Sequence, residues 1–181
     1  MEDRRAARTR KALKQAMLAL LDKKDIAKIT VSELSELADI GRGTFYLHYA
    51  DPYDLLDKLE DELLDEVMAR NVPVAGPVDT GSLMNYLEGV WQYLYDRMDV
   101  IKILTNRRNN TRFMAKFKRR CEVYALSAIR PEGSNDCEAI YAVIYLVSGS
   151  LGIFERWIED GAPIPPDKLA QLVRNLILGP A

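Results

Sequence analysis

The chain has 181 residues, of which 48% are hydrophobic and 29% charged, with a formal net charge of −2. This composition is typical of a globular protein, and its 8 prolines and 10 glycines are too few for an all-β or disordered chain. Residues 1–30 hold nine Lys and Arg against four Asp and Glu, whereas residues 31–181 hold sixteen against twenty-three. A basic head on an acidic body predicts that the head alone contacts a polyanion.

The sequence predicts no targeting or membrane-spanning segment. The charged start, residues 1–5, is not followed by the apolar stretch of a secretory signal. The longest uncharged run, residues 139–154, is shorter than the roughly 20 residues of a spanning helix and is interpreted as a buried helix. Cys121 and Cys137 fit no disulfide framework or metal-ligand spacing. We therefore expect a cytoplasmic protein with no membrane contact, no metal and no cofactor.

Helical periodicity begins in the first segment. Apolar residues recur at helical spacing and predict an amphipathic helix that ends near Lys23, namely Leu13, Ala16, Met17, Leu20 and Leu21. The opposite surface of this helix carries four cations, namely Arg4, Arg8, Lys11 and Lys14. A solvated face is the plain alternative to a DNA-contacting stripe.

Two short helices are predicted next. Thr30 followed by Glu33 is a capping box, and it starts a helix with an apolar face of Leu34, Leu37 and Ala38. Residues 39–41 break this helix, and Arg42 to Tyr49 is interpreted as the second helix.

A long helix is predicted next, with Asp51 as its cap, Pro52 at its first position and its end near Arg70. Asn71 to Gly81, with two prolines and two glycines, predicts a loop. Further helices are predicted at about 82–96, 99–106, 110–129, 136–160 and 166–178. No segment shows the two-residue alternation of a strand, so the fold class is all-α.

Two short helices joined by a three-residue turn behind a longer helix form a helix-turn-helix. The major groove of B-DNA admits one α-helix, which a second helix braces across the backbone. The apolar residues expected to pack the pair together are Leu34, Leu37, Ala38, Ile40, Phe45 and Tyr49. The outer face is expected to present Arg42, Thr44, Leu47 and His48.

Residues Thr30 to Tyr49, followed by Asp-Pro-Tyr-Asp-Leu-Leu, resemble the helix-turn-helix of the TetR family of regulators, and the match covers about residues 8 to 60. Gly43-Thr44-Phe45-Tyr46 with Tyr49 is its most specific part. Residues 149–158 resemble, more loosely, a C-terminal domain common among Firmicutes members. The resemblance implies an N-terminal DNA-binding domain of residues 1–51 and a C-terminal helical domain of residues 52–181 for effector binding and dimerisation.

The resemblance also implies roles for single residues. Arg42 would contact a guanine edge, Thr44 would make a methyl or hydroxyl contact, and Leu47 would touch a thymine methyl. Gly43 stands among them in the second short helix. Phosphate contacts would come from Tyr46, His48 and the backbone N–H of Thr30, with salt-dependent attraction from the first helix, namely from Arg4, Arg5, Arg8 and Lys11.

The chain departs from the family pattern at three positions. Asp39 stands at the usual turn glycine, Gly41 replaces a Ser-type cap, and Pro52 replaces a lysine that binds phosphate in many members. Whether Lys58 replaces that lysine is left open by the sequence. Gly41 and Pro52 motivate the alternative function, a regulator that acts through protein-protein interaction without operator binding.

The sequence carries no enzyme signature. It lacks the G-x-S-x-G, P-loop, H-E-x-x-H and G-x-G-x-x-G motifs, and His48 is its one histidine. The aromatic side chains are expected to be core residues or to line an effector pocket, with these candidates: Trp91, Tyr95, Phe113, Phe117, Tyr124 and Tyr145. The segment 102–120 holds eight cations and no acid, which predicts either a salt-bridged helix or a surface for an anionic effector or partner.

A short recognition helix specifies little sequence alone, so a homodimer on a palindromic double-stranded operator is expected. The last two helices are the predicted interface, through Ile144, Val147, Leu151, Phe154, Leu172 and Leu176. The predicted function is a transcriptional regulator of this kind, a repressor released by an effector, and the operator, the effector and the controlled genes are not specified by the sequence.

Overall fold

Helices account for the regular secondary structure of residues 4–69, 80–106, 110–129 and 136–179, which are those described in a computed structural model of the chain. The helices of these residues are, in order, α1 (Arg4–Leu21), α2 (Val31–Leu37), α3 (Arg42–Tyr46), α4 (Pro52–Ala69), α5 (Thr80–Tyr95), α6 (Met98–Thr105), α7 (Asn110–Ile129), α8 (Asp136–Glu159) and α9 (Pro166–Leu178). A 3₁₀ turn, Ile26–Lys28, precedes α2. The predicted all-α fold class is confirmed.

The chain divides into two compact units, Met1–Leu63 with Ile103–Phe113, and Leu64–Lys102 with Met114–Ala181. In the first unit α1 packs on α2, and α2 packs on α3. The buried face of α1 is the apolar stripe expected from its periodicity, with Leu13 and Met17 fully enclosed. Each such side chain contributes about 1.5–3 kcal/mol by leaving water. The domain boundary between residues 51 and 52 stays a prediction.

The start of α4 follows from its capping residues. The Asp54 N–H donates to Oδ1 of Asp51 at 2.9 Å, and Pro52 occupies the first helical position, where its missing N–H costs nothing. Asp54 in turn accepts from the backbone N–H of Ala50 at 2.9 Å. The junction between α3 and α4 is thus held on both sides of residue 52.

The basic segment 102–120 is partly salt-bridged. Arg112 lies 2.8 Å from Asp57 in the first unit, and Arg120 pairs with Asp65 in the second. Arg107 and Arg108 lie outside the described residues. Lys118 pairs with Glu122 at 3.9 Å, so the salt-bridged interpretation of this segment holds for Arg112, Lys118 and Arg120.

The second unit is built around aromatic and aliphatic side chains, and α5 packs on α9. Phe117 and Phe154 meet edge to face with ring centroids 6.3 Å apart, and Trp157 lies 6.0 Å from Phe154. The indole N–H of Trp157 donates to the Ile164 carbonyl at 2.8 Å, so its one polar group is satisfied. These contacts hold the end of α8 to the segment that leads into α9.

Most element boundaries agree with the sequence. The bounds of α7 and α9 are those predicted, and α5, α6 and α8 differ from theirs by one or two residues at either end. α1 ends two residues before its predicted end. Residues 71–79 of the predicted loop lie outside the described residues, and its last two residues, Thr80 and Gly81, belong to α5. None of the helices in the described part of the chain is long and apolar enough to cross a bilayer.

Candidate nucleic-acid interface

The N-terminus of α2 is held by the predicted capping box. Glu33 N–H donates to Oγ1 of Thr30 at 3.3 Å, and Thr30 N–H donates to Oε2 of Glu33 at 3.0 Å. Lys24 adds a contact that the sequence did not reveal, with its Nζ 2.5 Å from Oε1 of Glu33. The bonds from Lys24 and Thr30 lower the pKa of Glu33 to about 2. The bracing helix therefore starts from a fixed ionic and hydrogen-bonded corner.

This capping arrangement corrects the expectation for Thr30. Its backbone N–H, expected to meet a DNA phosphate, donates to Glu33 instead. The residue itself is still exposed. The sequence revealed the capping box itself but did not show that the box would take up the donor.

The turn between α2 and α3 has Asp39 in the left-handed region, with φ of 52°. The Ile40 N–H donates to the Ser35 carbonyl at 3.0 Å, and the Asp39 N–H donates to the Glu36 carbonyl at 3.2 Å. These two bonds form a Schellman motif, which usually places glycine at the left-handed position. Asp39 thus adopts the geometry of the glycine that it replaces.

α3, the predicted recognition helix, has one buried and one open side. Phe45 is fully enclosed, whereas the side chain of Tyr46 is 59% exposed and that of Leu47 is 81% exposed. Arg42 and Gly43 are also exposed, and Thr44 and His48 are half-buried. The helix thus brings donors and an apolar group together on one open face, as recognition of base edges requires.

The recognition helix is shorter than predicted. It ends at Tyr46 rather than Tyr49. Its last α-helical bond runs from the Tyr49 N–H to the Phe45 carbonyl at 3.0 Å, and the His48 N–H shares that carbonyl at 2.9 Å in a tighter, 3₁₀-type bond. Gly41 caps its start without a side-chain hydrogen bond, as its identity requires. Leu47 and His48 therefore lie in the turn that follows α3.

The inner apolar face is narrower than predicted. Leu34, Ala38, Phe45 and Tyr49 are buried as expected, and Ile40 is half-buried. Leu37 was expected among them but is 56% exposed. Its place in the helix explains the difference, since Leu34 and Ala38 lie one turn apart on a single face and Leu37 lies to the side of that face.

The basic surface of α1 separates into two groups. Arg4, Arg5, Arg8 and Lys11 are exposed. Lys14 instead pairs with Glu62 of α4. The cations predicted to attract DNA thus remain accessible on α1, and the fourth cation of the sequence stripe has a structural role.

Lys58, the candidate replacement for the missing phosphate-binding lysine, has partners within the protein. Its Nζ lies 3.0 Å from Oδ2 of Asp54, 3.5 Å from the His48 carbonyl and 5.2 Å from the centroid of the Tyr49 ring. The hydrogen bonds from Ala50 and Lys58 lower the pKa of Asp54. Lys58 therefore joins the end of the recognition-helix segment to α4, a role that the sequence did not reveal.

The predicted effector-pocket aromatics do not form one group. Trp91 and Phe117 are buried in the second unit, and Phe113 is buried in the first. Tyr95 is partly exposed, and Tyr145 is 76% exposed, which is incompatible with an enclosed pocket around it. Tyr124 lines a groove together with Met68 of α4 and with three cations of the basic segment 102–120, namely Lys116, Arg119 and Arg120.

The predicted dimer-interface residues divide in the same way. Ile144, Leu172 and Leu176 are exposed on α8 and α9, and Val147 is half-buried. Leu151 and Phe154 are buried within the protomer, so they pack in its core rather than on a dimerisation surface. The apolar periodicity of α8 in the sequence does not distinguish its exposed apolar face from the face that is buried in the protomer.

No group of three or more His, Cys, Asp or Glu in the described ranges is placed to hold a metal ion. Cys121 is half-buried, and burial raises the pKa of its thiol to about 12, so it is protonated at neutral pH. Cys137 is exposed.

Comparison with known proteins points to one family. The TetR_C_8 family model, described as a transcriptional regulator C-terminal region, matches residues 81–179. An uncharacterized HTH-type transcriptional regulator of Bacillus subtilis (strain 168), YxbF, is 22% identical over 169 residues, which cover 91% of this chain and 43% of that protein. The chain thus spans less than half the length of this curated relative.

Solved structures share the fold over nearly the whole chain. A TetR transcriptional regulator from Streptococcus agalactiae 2603V is 21% identical with a TM-score of 0.70, over 97% of this chain and 96% of that one. NalD of Pseudomonas aeruginosa, the secondary repressor of the MexAB-OprM multidrug efflux pump, is 18% identical with a TM-score of 0.71 over 98% of each chain. The dihydroxyacetone kinase operon activator DhaS is 21% identical with a TM-score of 0.66 over 94% of each.

Proposed function

This chain belongs to the TetR family of transcriptional regulators, and we propose that it acts as a homodimer that recognises a palindromic operator. Because the family consists of transcriptional regulators, the chain is a regulator and not an enzyme. The observation that supports operator binding is the open face of α3, where Arg42, Tyr46 and Leu47 are exposed around the buried Phe45.

The contacts divide into base recognition and phosphate binding. Arg42 donates to a guanine edge, Thr44 contacts a base through its methyl or hydroxyl group, and Leu47 packs on a thymine methyl. Tyr46 and His48 bind phosphates beside them. The exposed cations of α1 add the attraction that depends on salt, through Arg4, Arg5, Arg8 and Lys11.

We place the dimerisation surface on α8 and α9. Tyr141, Tyr145 and Ile144 are exposed on α8, and Leu172 and Leu176 are exposed on α9. Large apolar side chains left in water on two neighbouring elements are typical of an interface. An open groove of about 480 Å³ lies along α8 and the start of α9, and its lining includes three small residues that permit close approach, namely Ser148, Gly149 and Gly152.

The mode of regulation is proposed as repression released by an effector. NalD is a repressor and DhaS an activator, so proteins of this fold include both modes. Release by an effector needs a second binding site. The effector must bind with different affinity to two states of the dimer, one with the recognition helices spaced to fit DNA and one with another spacing. We place that site in the C-terminal region, and the protein in the cytoplasm with the DNA that it regulates.

Selection of binding sites from random duplex DNA tests operator recognition directly. The wild-type protein is compared with Arg42→Ala plus Tyr46→Ala, which removes two exposed side chains of α3. Lys168→Ala, an exposed cation of α9, is the matched control. We expect a palindrome with the wild type and the control, and its loss with the double variant.

Failure to enrich any sequence at low salt would rule out operator recognition by the free protein. Binding of protein partners by the same preparation would then support the alternative, a regulator that acts through protein-protein interaction. Circular dichroism of each variant checks that its helical content is unchanged, so that loss of a site is not loss of the fold.

A further inference from the structure

The groove that Tyr124 lines lies between the end of α4 and one face of α7. Its volume is about 520 Å³, within the range of roughly 300–1,000 Å³ of small-molecule sites. Its other lining residues are Met68 from α4 and, from α7, Lys116, Arg119, Arg120 and Val123. The α7 residues recur at helical spacing, so one face of this helix supplies nearly the whole wall.

Cations dominate the described lining of this groove. Of the lining residues that the structure describes, three are cations and none is an acid. Arg120 pairs with Asp65 of α4, which holds the two walls together. Arg119 is exposed, and Lys118 on the same helix pairs with Glu122 at 3.9 Å outside the lining. The groove therefore favours a ligand with a negative head group.

The rest of the lining is apolar. Val123 is an exposed aliphatic residue next to Met68, and the ring of Tyr124 is half-buried beside it. Burial raises the pKa of Tyr124, so its phenol is neutral and able to donate a hydrogen bond near neutral pH. A small apolar floor beside cations matches a molecule with two chemically different ends, whereas a nucleic acid offers repeated phosphates without an apolar tail.

We propose that this groove binds a soluble amphipathic anion, a small molecule with one carboxylate or phosphate head group and a short apolar tail. The head group bonds to Arg119 and Lys116, and the tail packs against Val123, Met68 and the Tyr124 ring. This inference rests on the proposed function, because it identifies the groove as the effector site. Both groove walls belong to the second unit, and the other end of α4, at Pro52, directly follows the proposed DNA-binding segment, residues 1–51.

Titration calorimetry with decanoate tests the site without DNA. Acetate, which lacks the tail, and decanol, which lacks the charge, are the ligand controls. Arg119→Gln keeps a polar stem without the charge, and Val123→Asp places a carboxylate on the apolar floor. We expect decanoate alone to bind to the wild type, and each variant to weaken it by about tenfold or more. Lys168→Gln, a cation of α9 outside the groove, leaves binding unchanged.

Three results would overturn the proposal: no heat from decanoate, equal binding of decanoate to both variants, or equal binding of decanol. If the protein sediments with phosphatidylglycerol vesicles but does not bind decanoate, the proposal is overturned in favour of a lipid surface. The selected operator gives a separate readout. Loss of operator binding on adding decanoate supports the effector role, whereas an operator recovered without decanoate binding leaves the proposed function standing and removes this site.

Discussion

At the scale of single residues, the operator proposal separates two kinds of arginine. Arg42 lies on the open face of α3, whereas Arg8 lies on the exposed face of α1. Arg42→Ala is expected to cost about 1–3 kcal/mol at one base pair and to relax specificity there. Arg8→Ala is expected to weaken binding to all sequences and to lower the salt slope by about one. Fluorescence anisotropy on the selected site and its single-base variants, across a salt series, measures both effects. Equal losses on every sequence for Arg42→Ala would contradict base recognition by this residue.

Glu33 gives the fold a specific acid sensitivity. Its pKa falls from 4.5 to about 2 in the folded state, chiefly through Lys24 and then Thr30. Since the folded pKa is lowered, the ionised group stabilises the fold above pH 4.5, and this contribution is lost as the pH falls towards about 2. The thermal midpoint of Glu33→Gln should therefore fall less over this interval than that of the wild type. Glu36→Gln, an exposed change on the same helix, should follow the wild type.

At the scale of elements, the turn between α2 and α3 stores a small strain. Asp39 has φ of 52°, a conformation that costs most L-residues about 1–2 kcal/mol and glycine almost nothing. Asp39→Gly should raise the free energy of unfolding by about 1 kcal/mol or less, and Asp39→Val should lower it by more than that. Urea unfolding followed by circular dichroism measures both. Destabilisation by glycine would show that the aspartate side chain supplies a bond worth more than the strain.

Lys58 offers a test of how α3 is held to α4. Because its Nζ bonds to Asp54 and the His48 carbonyl, its charge acts within the protein. Lys58→Met should weaken operator binding several-fold, on the order of 1 kcal/mol, while leaving the salt slope unchanged. Lys11→Met, at an exposed cation of α1, should lower that slope by about one. A lower slope for Lys58→Met would instead mean that Lys58 leaves Asp54 to bind a phosphate.

Local sequence signals were sufficient for most of these elements. The caps at Thr30 and Asp51 are bonds between residues three positions apart, so their partners are visible in the sequence. The positions of α4 to α9 follow from apolar spacing over many turns. The early end of α3 and the 3₁₀ turn Ile26–Lys28 were missed. In segments this short, packing and one or two backbone hydrogen bonds decide the conformation, and the sequence has no periodicity that reports them.

Side-chain placement across elements was harder to predict. Periodicity shows that Leu37 and Phe154 belong to the apolar stripes of their helices. It does not show which residues of such a stripe are covered by another helix of the same protomer. Leu37 is exposed and Phe154 is buried within the protomer, each opposite to its expected place. The bonds of Lys24 to Glu33 and of Lys58 to His48 join residues about ten positions apart through turns, which no local pattern encodes.

At the scale of the whole molecule, the dimer proposal connects two ends of the chain. A five-residue recognition helix contacts few base pairs, so specificity needs a second copy at a fixed distance. Leu176, 65% exposed on α9, is a central candidate for the contact between copies. Leu176→Glu places a charge in that contact, which costs several kcal/mol of association if the side chain becomes buried there.

Sedimentation equilibrium should accordingly show a dimer for the wild type and a monomer for Leu176→Glu at the same concentration. Gln171→Glu adds the same charge to an exposed position of α9 without removing an apolar group, and it should stay dimeric. The monomer keeps its α3 surface, so it should bind a single half-site and the full palindrome with similar low affinity, whereas the dimer prefers the palindrome strongly. A Leu176→Glu protein that stays dimeric and retains this preference would move the interface away from α9, because a buried unpaired carboxylate is incompatible with an intact contact.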